Sequence, residues 1–288
     1  MSFKTIVVAA TSLAIMSGAA WAGTSPRPAG DSRAAELVNR YNLRKTGSPG
    51  WRRVAVLFRS GNSTTRAYTI SNFWSTRGDT SRMLFYLEEP AGLRRTRYLQ
   101  IEDQAAAQEL GVYLYLPAGR QQVLTIAPGS HGQGLLGSDF SYSDLRLKLP
   151  VHDCTYRFLG TEVLAGRRAW KIEALQTRPE LPWRRAILYL TRDRPFLLGA
   201  DYYSEAGSGP ETPLKSMRVQ EFRDVALVRI AVRMTMSVRG GNSTTIVLQD
   251  ARFGVRDIPE EWLAPSTLGS PALDEAGSWP MSGSAGSK

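Results

Sequence analysis

Val228-Arg-Ile-Ala-Val-Arg-Met-Thr-Met-Ser-Val238 is the stretch that decides the fold. Its apolar members, Val228, Ile230, Val232, Met234, Met236 and Val238, alternate without a break with Arg229, Ala231, Arg233, Thr235 and Ser237. A period of two sends the first set to one face of an extended chain and the second set to the other. The stretch therefore predicts a strand of an antiparallel sheet with one greasy and one wet face.

Segments of the same kind lie on both sides of it. After it, Gly240-Gly241-Asn242 turns the chain into 243–253. Before it, 154–160, 168–175, 185–191, 196–203 and 215–222 read as strands. Further upstream, 51–60, 64–74, 82–88, 94–102, 113–116 and 121–127 do the same, separated by signals such as Gly61-Asn62, Pro90-Ala91-Gly92 and Pro117-Ala118-Gly119. No long helical pattern intervenes, which excludes a parallel βαβ architecture. One helix is expected early: Asp31 can cap it, Ala34, Leu37, Val38 and Tyr41 recur at helical spacing, and Gly47-Ser48-Pro49 ends it. A Gly-rich loop over 128–137 leads into a short helix within 138–147, and 258–263 reads as a closing helical turn. The expected fold is mainly β: a single large curved antiparallel sheet with a few short helices over one face. Gly61-Asn62-Ser63-Thr64-Thr65 recurs as Gly241-Asn242-Ser243-Thr244-Thr245, read as hairpin chemistry and not as a duplication.

Composition narrows the chemistry. Of 288 residues, 42% are hydrophobic and 22% charged, a balance that excludes wholesale disorder. One cysteine, Cys154, excludes an intrachain disulfide framework and a cysteine-based zinc site. Two histidines, His131 and His152, leave little for histidine-centred metal chemistry. Lys4, the apolar run Thr5 to Ser17 and the Ala20-Trp21-Ala22 end make 1–22 a cleavable secretory signal peptide, too short for a membrane span of about 20 apolar residues. No cysteine follows the run, so no N-terminal lipid anchor is expected. Residues 23–30 read as a linker, 31–263 as the folded domain and 264–288, rich in Ser, Gly, Ala and Pro, as a disordered tail. The expected location is the periplasm.

Lys and Arg number 36 against 26 Asp and Glu, for a net charge of +10. The arginines are spread along strand faces (Arg52, Arg53, Arg94, Arg95, Arg97, Arg184, Arg185, Arg229, Arg233) and are not gathered in one arm. On an exported chain this excess suits anionic lipid headgroups or acidic glycans, or is no more than a solvated Arg-rich surface, and nucleic acid is not an expected partner. Gly132-Gln133-Gly134-Leu135-Leu136-Gly137 matches G-x-G-x-x-G, but no βαβ unit surrounds it, so it reads as a loop. Ser130-His131 near Asp139 lacks a nucleophile elbow, and His152-Asp153-Cys154 offers too few ligands for zinc. The carboxylates form no acid/base pair pattern. No catalytic residue, metal site or cofactor is expected.

Arg82-Met83-Leu84, Pro90-Ala91-Gly92, Tyr98-Leu99, Leu114-Tyr115-Leu116-Pro117 and Gly137-Ser138-Asp139-Phe140-Ser141-Tyr142-Ser143-Asp144-Leu145 follow one another in this order. Over 31–263 the chain resembles the LolA-like family of outer-membrane lipoprotein-sorting proteins. The resemblance implies an unclosed antiparallel half-barrel with helices over its apolar concave face. It implies a non-enzymatic periplasmic carrier that binds the acyl chains of a lipoprotein or lipid and moves it toward the outer membrane. Transient contact with membrane surfaces and an inner-membrane lipid exporter would go with that role. On this reading Val228, Ile230, Val232, Met234, Met236 and Val238 line the cavity. The segment 129–147 is a lid, with Gly132, Gly134, Leu135, Leu136 and Phe140 its key members. The alternatives are an envelope scaffold with a filled core, and an envelope hydrolase.

Overall fold

Thirteen strands pair antiparallel in one sheet among the described residues. They are β1 (Gly50–Ser60), β2 (Ser63–Arg77), β3 (Thr80–Glu89), β4 (Arg97–Asp103), β5 (Gln108–Tyr115), β6 (Val123–Thr125), β7 (Cys154–Leu164), β8 (Arg167–Gln176), β9 (Arg185–Thr191), β10 (Leu197–Tyr203), β11 (Lys215–Val225), β12 (Val228–Val238) and β13 (Asn242–Phe253). The computed structural model describes residues 31–117, 121–130, 132–177, 181–204, 212–225 and 227–279. The expected signal peptide, the linker, His131 and residues 280–288 lie outside these.

Across the sheet the order is β6-β5-β4-β3-β2-β1-β13-β12-β11-β10-β9-β8-β7. Every neighbouring pair but one is consecutive in sequence. The exception is β1 with β13, which pair from Gly50↔Phe253 to Ser60↔Asn242. The chain thus starts in the middle, meanders to one edge, crosses to the other edge and meanders back. β6 and β7 are opposite edges and do not pair, so the sheet stays an unclosed half-barrel, as expected. The two Gly-Asn-Ser-Thr-Thr turns end the neighbouring hairpins β1–β2 and β12–β13. They lie side by side, the Gly61 amide donating to the Gly241 carbonyl at 3.3 Å.

This topology dictates what covers the concave face. The chain between β6 and β7 must cross from edge to edge, and it runs over the concave side. There Leu135 and Tyr142 pack on Val56, Phe58, Tyr68, Ile70, Phe85 and their neighbours. The helix α1 (Ser32–Asn42) covers the other half. Asp31 caps it by accepting from the Arg33 amide at 2.9 Å and also accepts from the Phe158 amide on β7 at 3.1 Å. Ala34, Leu37, Val38 and Tyr41 bury against Tyr156, Trp183, Leu188 and Tyr202. Eleven residues of helix reach about 16 Å, enough to bring the chain from the β7 edge back toward β1.

The expected tail needs correction. The closing turn expected at 258–263 is there as a 3-10 turn, Glu260–Leu263, but residues 264–279 after it are ordered too: further 3-10 turns at Pro265–Thr267 and Pro271–Ser278 lie with it on the convex face of β1–β5. Trp262, Leu263, Leu268, Leu273 and Ala276 bury there against Trp51, Phe73, Leu84, Tyr86 and Leu99. Arg97, 1% exposed, holds the segment: its guanidinium donates to the Leu268 carbonyl at 2.8 Å and the Ser270 carbonyl at 2.9 Å, and ion-pairs with Asp274. A 3-10 chain broken by Pro and Gly shows neither a 3.6 nor a 2 period, which is why pattern reading takes it for a loose tail. A signal was present on the partner strand. Met83-Leu84-Phe85-Tyr86-Leu87 is apolar at every position, so β3 needs a cover on both faces, and all five side chains are buried.

Candidate functional site: the concave cavities

The concave face is not filled evenly. The ladder between β12 and β13 runs only from Arg233↔Val247 to Ser237↔Ser243, whereas β13 continues beside β1 to its end. Below Arg233 the two strands part. A β-bulge interrupts the β1–β13 register at Arg53/Val54, and the β11–β12 register is irregular between Val219 and Phe222, at the same level. The wedge so opened holds a cavity of ≈ 210 Å³, lined by Trp74, Met83, Val219, Val228, Ile230 and Phe253 among others, with Tyr41 and Arg44 over it.

A second cavity, ≈ 50 Å³, lies beneath the crossing segment and is almost wholly apolar: Val54, Val56, Phe58, Ile70 and Phe85 form its floor, and Leu135, Leu136 and Phe140 its roof. The two share Arg52, Asn72, Leu145 and Met234 as a common wall. A third, ≈ 100 Å³, continues under α1 between Tyr41, Trp183 and Tyr202 and shares Tyr41, Asp144, Arg146 and Leu197 with the wedge. The concave side therefore carries a chain of three contiguous, mainly apolar spaces. A further cavity of ≈ 200 Å³ sits away from them, between Pro49, Thr76, Arg82 and the Arg77–Glu260 ion pair.

Of the cavity residues expected from sequence, Val228, Ile230 and Met234 line the wedge, and Met234 also lines the space beneath the crossing segment. Met236 is fully buried in the core, and Val232 and Val238 are half-buried and line none of these spaces. Of the lid residues, Leu135, Leu136 and Phe140 meet over the sheet, while Gly132 and Gly134 shape the loop. A side chain cannot fit at Gly134, where a Cβ would come 2.0 Å from the Ser138 carbonyl oxygen. Gly132 would put one 2.7 Å from Pro182. The expected short helix is a single 3-10 turn, Tyr142–Leu145, closed by a capping box between Ser141 and Asp144.

Polar groups pin this segment at defined points. The Asp139 amide donates to Thr244 Oγ1 at 3.0 Å, and that hydroxyl donates to the Asp139 carboxylate at 2.6 Å. Lys215 ion-pairs with Asp144 and donates to Ser141 Oγ at 3.0 Å. Tyr142 stacks on Tyr98 with ring centroids 5.2 Å apart. At its far end both Glu102 carboxylate oxygens accept from the Leu147 amide, at 3.0 and 3.2 Å, and Asn42 bonds both the amide and the carbonyl of Leu149. Burial pushes the Glu102 carboxyl up to about 7, against the pull of the Leu147 amide. The apolar end, Leu135–Gly137, has weaker ties: 3.4 Å from Tyr68 Oη to the Leu136 carbonyl and 3.2 Å from Arg66 to the Gly137 carbonyl.

Sequence reading missed Arg52 as a site residue. It sits on the concave face at the junction of the first two cavities, donates to Asn72 Oδ1 at 2.8 Å and lies 5.6 Å from the Trp74 ring centroid. The signal available was a charged residue in phase with Val54, Val56 and Phe58, at a position where alternation demands an apolar one. Cys154 is a buried core residue whose thiol burial pushes up to about 12, so it is no nucleophile. His152 is exposed. Among the described residues no group of three or more His, Cys, Asp or Glu side chains converges on a metal position, and no helix is long and apolar enough to cross a membrane.

An open antiparallel sheet with its edge-to-edge connection and a helix laid over an apolar concave face defines the LolA-like fold. Solved structures share it. A domain described as an outer-membrane lipoprotein-sorting protein, from Vibrio parahaemolyticus, is 18% identical, with a TM-score of 0.72 over 82% of this chain and 98% of that one. A DUF1329 family protein from Desulfovibrio piger is 20% identical, with a TM-score of 0.73 over the same shares. A LolA superfamily protein from Nitrosomonas europaea is 15% identical, with a TM-score of 0.59 over 80% of this chain and 97% of that one. No curated protein matches the chain. A family model described as "Uncharacterized protein"-like matches residues 79–269, and the chain belongs to that family.

Proposed function

We propose that the protein is a periplasmic carrier that holds the acyl part of a lipid or lipoprotein on its concave face and does no bond chemistry. The observation that carries this reading is the run of three contiguous, mainly apolar spaces under α1 and the crossing segment. The likeness of fold to lipoprotein-sorting structures supports it. Each methylene moved from water into such a space contributes about 0.8 kcal/mol, so even part of one chain gives useful affinity.

The spaces are small for the task. A drug-sized ligand fills about 300–1,000 Å³, and the roofed cavity measures ≈ 50 Å³. Loading therefore requires Leu135 and Leu136 to withdraw from the sheet, and their own burial supplies the force that recloses the face after release. The movement starts at the weakly tied end, with the Asp139–Thr244 and Lys215–Asp144 contacts as the fixed side. The basic surface suits transient visits to anionic membranes, where an inner-membrane exporter hands over the cargo. Residues 1–22 deliver the chain to the periplasm and are removed there.

Native mass spectrometry of the protein isolated from the envelope of its own cell tests the reading together with Met234→Trp, which fills the wall between two cavities. The expected result is a bound amphiphile on the parent chain and at least tenfold weaker binding of a fluorescent acyl probe to the variant. Bare protein that binds no acyl probe in either form establishes a scaffold with a filled core instead.

A further inference from the structure

The wedge cavity is apolar in its floor and cationic in its walls. Arg44, Lys45, Arg52, Arg146 and Arg229 line it against one carboxylate, Asp144. Two of these charges are already satisfied: Asp144 is held by Lys215, and Arg229 takes both Asp193 and Asp224. Arg44 spends its guanidinium on the carbonyls of Tyr41, at 3.0 Å, and Leu147, at 2.7 Å. Arg52 differs. Among the described residues its one hydrogen-bond partner is the neutral Asn72, at 2.8 Å, and no carboxylate forms an ion pair with it. Asn72 is itself fully buried and anchored to the Leu84 carbonyl at 2.9 Å, so the Arg52 fork is held in place from below. A guanidinium has five N–H donors, and one neutral acceptor leaves the others free toward the cavity.

We infer, resting on the carrier reading above, that Arg52 is an anion site inside the lipid cavity and that the cargo is an amphiphile bearing a phosphate or carboxylate group. The chain enters the apolar space beneath Leu135 and Leu136. The charged group stops at Arg52, where the two spaces meet, with exposed Lys45 at the mouth. The position of Arg52 makes the division of labour physical. Val54, Val56 and Phe58 continue its row along β1 into the greasy space, and Trp74 and Phe253 lead from it into the wedge. A planar fork beside an anchored amide suits bidentate recognition of a phosphate or carboxylate. Burial lowers the Arg52 guanidinium to about 10, which still leaves it a cation at neutral pH.

The test compares dodecyl phosphate, neutral dodecyl maltoside and inorganic phosphate by isothermal titration below micelle formation, on the full chain without its leader. Parent protein is expected to bind dodecyl phosphate at least about tenfold more tightly than dodecyl maltoside, the range of one charge-assisted hydrogen bond. Arg52→Gln should remove that preference and leave the maltoside affinity unchanged. Arg59→Gln, an equal loss of charge at an exposed position of the same strand, should keep it. Inorganic phosphate at millimolar concentration should not compete. Equal binding of the charged and neutral amphiphiles, or a preference that survives in Arg52→Gln, overturns the inference and leaves the carrier reading standing. Competition by inorganic phosphate overturns it in favour of a free-anion site. Binding of neither amphiphile fails the carrier reading itself. If Arg52→Gln does not fold, Arg52→Lys, which keeps the charge and loses the fork, should retain part of the preference. No loss in that variant also overturns the inference.

Discussion

Glu102 shows how a single buried carboxylate ties the crossing segment to the sheet. It is 3% exposed, and the groups facing it are the Leu147 amide, Arg146, Arg44 and Glu109. Desolvation outweighs the attraction of the two arginines and raises its carboxyl from 4.5 to about 7. A raised carboxyl means that the folded chain holds the proton more tightly than the unfolded chain does. The stability it contributes is complete below pH 4.5 and is lost as pH rises through about 7. Glu102→Gln keeps an acceptor for Leu147 and removes the ionisation. The gap in unfolding free energy between variant and parent, measured by urea denaturation, should widen in the variant's favour by about 3 kcal/mol from pH 4 to pH 8. A gap independent of pH would show that Glu102 titrates alike in the folded and unfolded chain. At this same scale Arg52 is the residue that sequence alone undervalues. Its alternation phase is visible, but the lack of a carboxylate opposite it depends on strands nearly two hundred residues away.

At the scale of elements, the crossing segment owes its path to topology and its grip to a few bonds. An edge-to-edge connection has to pass over one face, and Leu135, Leu136 and Phe140 make the concave face the favourable one. The Gly-rich run reads in sequence as slack, yet Gly134 is there because the Ser138 carbonyl leaves no room for a side chain. Thr244, on β13, is the fixed point for the middle of the segment, through two hydrogen bonds to Asp139. Each such bond contributes about 1 kcal/mol net. Thr244→Val, nearly equal in shape, should raise amide hydrogen exchange in peptides covering 132–145 by about tenfold while leaving β1 and β13 protected. Unchanged protection would mean that apolar contacts alone hold the segment. The helix α1 and the strands were legible because their apolar spacing is local. The 3-10 turns beyond Leu263 were not, because a three-residue turn has no periodic face to read, whereas the turns within 138–147 and 258–263 were expected.

At the scale of the whole molecule, the C-terminal segment closes the second face of the sheet. A chain cut after Leu263 loses Leu268, Leu273 and Ala276, together with the acceptors of the buried Arg97. Each large side chain contributes about 1.5–3 kcal/mol, and a buried cation left without partners adds its own cost. Removing 264–288 should therefore lower Tm by about 10 °C or more and turn a monodisperse protein into one that aggregates through the bared faces of β3 and β4. A truncated chain as stable as the parent would restore the reading of these residues as a loose tail.

The amino-acid sequence by itself determined the strands, the helix at Asp31 and the antiparallel class of the sheet. Those follow from spacing within one element, where Val228 to Val238 or Ala34 to Tyr41 carry their own instructions. Only the tertiary structure decided which apolar rows face one another. It seated the C-terminal turns on Leu84 and Tyr86, set the two Gly-Asn-Ser-Thr-Thr turns side by side and split β12 from β13 to open the wedge. It also brought Arg52 into one wall with Met234 and Leu145. Contacts of that kind join residues far apart in the chain, and they depend on strand order, which no local period encodes.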